Sequence, residues 1–255
     1  MAAFRLVATT EHFVLLNKAP GISFHSEDGP GLVVLAEQQL QMKLFAVHRL
    51  DKVTSGLIIL ARSALAAAEL TRLFSQQQIE KYYLALSLDK PLKKQGWIKG
   101  DMVLGRRSSW KLLQTMHHPA ISYFISQGFS DLPFRLFLIK PFTGKTHQIR
   151  VALKSVSAPI AGDTLYQAEA ESRVYLHAYA LTFSLFDQHY AYVCPPDEGE
   201  RFAQLSSVNA LQPWAEPWAL DWPSYSQRQA TKSTAKTDIK SNLTGKSAVN
   251  TKSVS

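Results

Sequence analysis

The stretch Phe45-Ala-Val-His-Arg-Leu-Asp-Lys-Val-Thr-Ser-Gly-Leu-Ile-Ile-Leu-Ala61 decides how this chain is read. Phe45 to Val47 and Leu57 to Ala61 carry the aromatic, β-branched and aliphatic side chains of two strands, with Gly56 where the second begins. Between them lie His48, Arg49, Asp51, Lys52, Thr54 and Ser55. A hairpin normally reverses in about two to five residues of Asn, Asp or Gly. This connection is longer and sets charges of both signs beside an aliphatic sheet, so it reads as a site. Asp51 is its one carboxylate, flanked by Arg49 and Lys52, cations that favour the charged form. A carboxylate so placed serves as a nucleophile or charged anchor rather than as a proton donor. Taken alone, however, an Asp in a loop reads more simply as a turn cap, with Arg49 in a solvated ion pair.

Outward from the loop, His12 to Asn17 reads as a strand ended by the turn Lys18-Ala-Pro-Gly21, and Gly31 to Lys43 has a helical pattern. Ser63 is placed to cap a helix running to about Gln76, with Ala66, Leu70, Leu73 and Phe74 on its core face. Ile79 to Leu88 is a strand on which Tyr82 and Tyr83 point to opposite faces. Repeated short runs between Trp97 and Phe142 predict an antiparallel meander, interrupted by the basic turn Gly105-Arg-Arg-Ser-Ser-Trp-Lys111, which suits phosphates or solvent equally. Thr143-Gly-Lys-Thr-His-Gln-Ile-Arg-Val151 suggests a phosphate-binding loop, but the upstream glycine of that motif falls at Ile139, so no nucleotide cofactor is expected. His177, on an alternating strand, reads as a hydrogen-bonded core histidine, and His189 to Val193 as its pairing strand. Pro213 to Trp222 is expected to close the domain with its indoles.

The chain has 255 residues and one cysteine, Cys194, so it forms no internal disulfide, and no Cys/His cluster has zinc spacing. These features predict a metal-free, cofactor-free protein of the cytoplasm. No apolar run approaches the roughly 20 residues that span a bilayer, so no membrane partner is expected. Of the net charge of +8, residues 226–255 carry +5 and the rest only +3. Overall basicity is therefore weak evidence for nucleic acid, and local placement must carry that argument. The tail at 226–255, without aromatic residues and rich in Ser, Thr and Lys, is expected to be disordered, which leaves residues 1–225 as one folded domain, a monomer.

The whole string His48-Arg-Leu-Asp51-x-x-Thr54-Ser-Gly-Leu57 resembles the catalytic-loop motif of the RluA family of RNA pseudouridine synthases. Lys81-x-Tyr83-x-Ala85 resembles a second motif of that family, and Gly144-Lys-Thr-His-Gln-Ile-Arg150 a third. The resemblance implies an α+β pseudouridine synthase fold, an extended mixed and mainly antiparallel sheet flanked by helices and loops, with an RNA cleft across its middle. It implies that Asp51 is catalytic, that Tyr83 stacks on the flipped base, and that Arg150 pairs bidentately with Asp51. It also places substrate contacts on Arg49, Thr54, Lys81 and Ile149. The expected substrate is a uridine in structured RNA, ribosomal or transfer. The chain departs from the family in having Lys-x-Pro-Gly at 18–21 where Lys-Pro-x-Gly is usual, and Ala152 where a histidine is common. The first motif begins near Lys18, which leaves no room for the S4-like domain that many members carry. The alternative is an RNA-binding or RNA-folding protein that keeps the fold without the reaction. A carboxylate hydrolase would want a second acid, which the loop lacks.

Overall fold

The fold was analysed in a computed structural model that describes residues 2–26 and 29–225. The expected disorder of 226–255 lies outside the described residues. Residues up to Leu220 form one compact unit.

Twelve strands are found among the described residues: β1 (Phe4–Thr9), β2 (Phe13–Lys18), β3 (Phe45–Ala46), β4 (Ser55–Ala61), β5 (Glu80–Ser87), β6 (Gln95–Gly100), β7 (Met102–Leu104), β8 (Trp110–Leu112), β9 (Ala120–Gly128), β10 (Arg135–Pro141), β11 (Leu176–Leu185) and β12 (Gln188–Val193). The helices include α1 (Leu32–Leu40), α2 (Ala64–Ser75) and α3 (Gln148–Ser155). The main sheet runs β1-β2-β4-β11-β5-β10-β9-β6, with β3 on β4 and β12 on β11, while β7 and β8 make a separate ribbon. Its described pairings are antiparallel except β4 with β11. The α+β expectation of a mixed, mainly antiparallel sheet therefore holds, but the expected meander is interrupted: β6 pairs with β9, while β7 and β8 leave the sheet as their own antiparallel ribbon.

All seven residues of β4 are buried, because both faces of the sheet are covered there. Leu57 and Ile59 point to one side, against Leu70 and Leu73 of α2 and Phe183 of β11. Ile58 and Leu60 point to the other, against Leu32 and Ala36 of α1. Ser63 caps α2, its side chain accepting from the Ala66 amide. Trp214 is buried, and its carbonyl accepts from the Tyr179 hydroxyl at 3.1 Å, so that indole does close the domain.

The parallel contact is two residue pairs long, His177 with Ser55 and Ala178 with Gly56. Gly56 has φ +106°, and a Cβ there would lie 2.3 Å from the Ala178 carbonyl oxygen. Both facts demand glycine. Cross-strand register then sets Lys18, Gly56, Ala178, Tyr83 and Ile139 abreast on five successive strands. Gly56→Ala is expected to cost about 3 kcal/mol or more of stability, from backbone strain and steric overlap together. A urea-unfolding midpoint within experimental error of the wild type would contradict it.

Candidate active site

The loop between β3 and β4 is held from several sides. β3 stops at Ala46, and the His48 ring takes over its pairing role: the Ile59 amide donates to His48 Nε2 at 2.9 Å. An accepting Nε2 requires a neutral imidazole, and burial, with Lys81 second, pushes His48 down to about 3. The ring also stacks on Phe74 of α2, with centroids 4.2 Å apart. On the opposite flank, Lys18 is fully buried and its Nζ donates to the carbonyls of Ala19, Ile22 and Lys52 at 2.9, 3.1 and 3.2 Å. Gly21, with φ +82°, donates its amide to the same Lys52 carbonyl at 2.8 Å. The displaced proline thus leaves a working reversal that braces the loop. Within the loop the Thr54 amide closes a turn onto the Asp51 carbonyl at 3.0 Å.

Arg150 comes from α3, which is anchored by Gln148. That buried amide accepts from Thr143 Oγ1 and the Lys145 amide, and donates to the Ile121 carbonyl and Ser122 Oγ. The structure brings Arg150 to Asp51 but corrects the expected geometry. The Nε and Nη2 edge of the guanidinium grips Asp163 at 2.6 and 2.8 Å, and Nη1 lies 3.6 Å from Asp51 Oδ2. Asp163 is 1% exposed and Arg150 5%, so each buried charge requires the other. One guanidinium edge remains for Asp51, in a contact longer than a hydrogen bond. Nor do the flanking cations serve Asp51: among the described residues its ion pairs are with Arg150 and, at 4.0 Å, with His147 Nε2. Arg49 and Lys52 are exposed.

A cleft of about 420 Å³ opens over these groups. Arg49, Asp51, Thr54, Lys81, Tyr83, Ile149 and Arg150 all line it. The two tyrosines of β5 divide as alternation predicts. Tyr82 is buried with its hydroxyl on Glu80, whereas Tyr83 faces the cleft. Burial, and after it the Asp51 carboxylate, pushes the Tyr83 phenol up, so it stays protonated near pH 7 and offers an aromatic face and a donor. Lys81 Nζ lies 5.8 Å from the centre of the Phe74 ring, and burial pushes its value down. Thr54 and Ile149 are buried members of the wall. A smaller cavity of about 180 Å³ adjoins Asp51 beside Ser23, Phe24 and His25, and shares Arg49, His147 and Arg150 with that side of the site.

Residues 12–155, more than half of the chain, match the family described as RNA pseudouridylate synthase. The chain belongs to that family. An uncharacterized RNA pseudouridine synthase of Haemophilus influenzae is 50% identical over 204 residues, covering 78% of this chain and 91% of that protein. The dual-specificity RNA pseudouridine synthase RluA of Escherichia coli is 31% identical over 184 residues, 68% of this chain and 84% of its own length. The fold matches that of human RNA pseudouridylate synthase domain containing 1, with a TM-score of 0.67 over 88% of this chain and 98% of that one at 20% identity. As a member of the pseudouridylate synthase family the chain is an isomerase acting on RNA. Among the described residues no helix is long and apolar enough to cross a membrane.

The sequence assigns no role to His147 or Asp163. A buried arginine on a short helix does call for a counter-charge, but nothing in the spacing shows which acid supplies it. Asp163→Ala is expected to destabilise the fold by about 3–5 kcal/mol, by leaving the Arg150 charge buried without its partner; urea denaturation measures it. A second expectation concerns pH. Burial is the main cause lowering both His48, to about 3, and His177, to about 4, from the ordinary 6.5. The unfolded chain therefore binds more protons than the folded one between these values, and stability falls as pH drops from about 6.5 towards 4. The slope should be shallower in His48→Gln than in the wild type, read from unfolding midpoints across that window.

Proposed function

We propose that Asp51 is the catalytic residue of this synthase, acting on a uridine extruded from structured RNA, ribosomal or transfer, in the cytoplasm. The observation that carries the reading is one accessible carboxylate on the cleft floor, held on Oδ2 by a buried guanidinium and faced by Tyr83. A cleft of this size takes one nucleoside, and a base inside a helix reaches such a site only by leaving its stack. Tyr83 supplies the face on which the extruded uracil stacks. Arg150 orients Asp51, and exposed Arg49, at the mouth of both cavities, enters the gap left in the RNA. Lys81, Thr54 and Ile149 complete the wall around the base.

The reaction breaks the C1′–N1 bond and joins C1′ to C5 of the uracil, while C5 loses a proton and N1 gains one. Atoms and electrons balance within the nucleoside, so we propose a reaction without cofactor or metal, carried out by a monomer. Asp163, the second acid near the site, is engaged by Arg150 through both oxygens and is not free to act as the partner acid of a hydrolase. Asp51→Asn is expected to abolish pseudouridine formation while RNA affinity stays within a few-fold. Mapping pseudouridines in total RNA from cells with and without the gene supplies the substrate. Undiminished turnover by Asp51→Asn would refute the assignment, and absence of any gene-dependent pseudouridine would favour the non-catalytic RNA-folding alternative.

A further inference from the structure

His147 sits between Asp51 and Tyr166. It precedes α3 with φ +57° and ψ +17°, a left-handed conformation uncommon outside glycine. That conformation turns its ring so that Nδ1 lies 2.9 Å from the Tyr166 hydroxyl and Nε2 lies 4.0 Å from Asp51 Oδ2. Tyr166 is itself buried and fixed: its hydroxyl oxygen accepts from the Trp110 amide of β8 at 3.0 Å, and the Arg150 guanidinium lies 5.1 Å from the centre of its ring.

With its oxygen already accepting, the Tyr166 hydroxyl has its own proton to give, and His147 Nδ1 is in reach. A neutral imidazole that accepts at Nδ1 carries its hydrogen at Nε2. The opposite tautomer would aim the Nε2 lone pair at a carboxylate oxygen. We propose that His147 is a second positioning residue for the reaction: with its tautomer set by Tyr166, it directs Nε2–H at the same oxygen of Asp51 that Arg150 holds, leaving Oδ1 to meet the nucleoside. The proposal rests on Asp51 being the catalytic group. Both approaches are to Oδ2, and among the described residues Oδ1 accepts no hydrogen bond. Burial, and then the Arg150 guanidinium, pushes His147 below the ordinary imidazole value, so the neutral form is the working one. The 4.0 Å gap is an electrostatic contact in the free protein; such contacts tighten when substrate excludes water from the cleft.

The test uses the full chain and a ribosomal RNA transcript shown to be modified by the wild type. His147→Ala is expected to lower kcat on the order of 100-fold, with KM unchanged within a few-fold, as expected when a reacting group loses its alignment. His147→Gln, whose amide nitrogen reaches about as far as imidazole Nε2, should recover much of that loss. Tyr166→Phe should lower kcat on the order of 10-fold. Nitrogen NMR of the wild type should show the Nε2–H tautomer, which decides the matter even if a variant folds poorly. Wild-type kcat in both His147→Ala and Tyr166→Phe, a loss confined to KM, or the Nδ1–H tautomer would each overturn the proposal while an inactive Asp51→Asn keeps the catalytic reading. An active Asp51→Asn would instead remove the reading on which the proposal stands.

Discussion

The close approach of β4 to β11 at Gly56 and Ala178 is the constraint on which the site depends. It leaves no room for a side chain at residue 56, and a chain of donors and acceptors holds it. Arg173 Nη2 donates to Ser55 Oγ at 2.6 Å, Ser55 lies 2.8 Å from His177 Nδ1, and His177 Nε2 lies 2.8 Å from the Cys194 carbonyl. Since a carbonyl can only accept, the imidazole donates at Nε2 and accepts from the serine at Nδ1. Every member is satisfied, which is the condition under which a buried polar network strengthens a core. Because that row is fixed, the braced lysine of β2 and the cleft-facing tyrosine of β5 flank the loop at set positions.

Arg150 divides itself between two carboxylates in different environments. Asp163 is sealed and takes the bidentate edge; Asp51 borders the cleft and receives the remaining nitrogen at longer range. A single guanidinium spent wholly on Asp51 would occupy both of its oxygens. The buried pair instead fixes the arginine, and the arginine fixes one oxygen.

Much of the fold could be read from the sequence because its signals are local. The Ser63 cap and the opposite facing of Tyr82 and Tyr83 follow from short-range signals, and the three motifs carry residues that line the cleft. His177 is a hydrogen-bonded core histidine as expected, though β11 is buried on both faces over Leu176–Phe183 rather than alternating. What sequence could not supply was pairing at a distance. Asp163 lies 13 residues beyond Arg150, and Tyr166 reaches back to His147 across a helix and a turn. Charge adjacency also misled: Arg49 and Lys52 neighbour Asp51 in the chain, yet the turn closed by Thr54 leaves both exposed.

The strand that completes the centre of the sheet, β11, comes late in the chain, between β4 and β5, which precede it by about a hundred residues. In the sheet order β11 is the one strand that joins the β1-β2-β4 side to the β5-β10-β9-β6 side, so the loop before β4 and the Tyr83 strand face one cleft through Leu176–Leu185. Pairings of such long sequence separation carry a large loop-closure cost and form slowly, so the centre of this sheet is its most topologically demanding part.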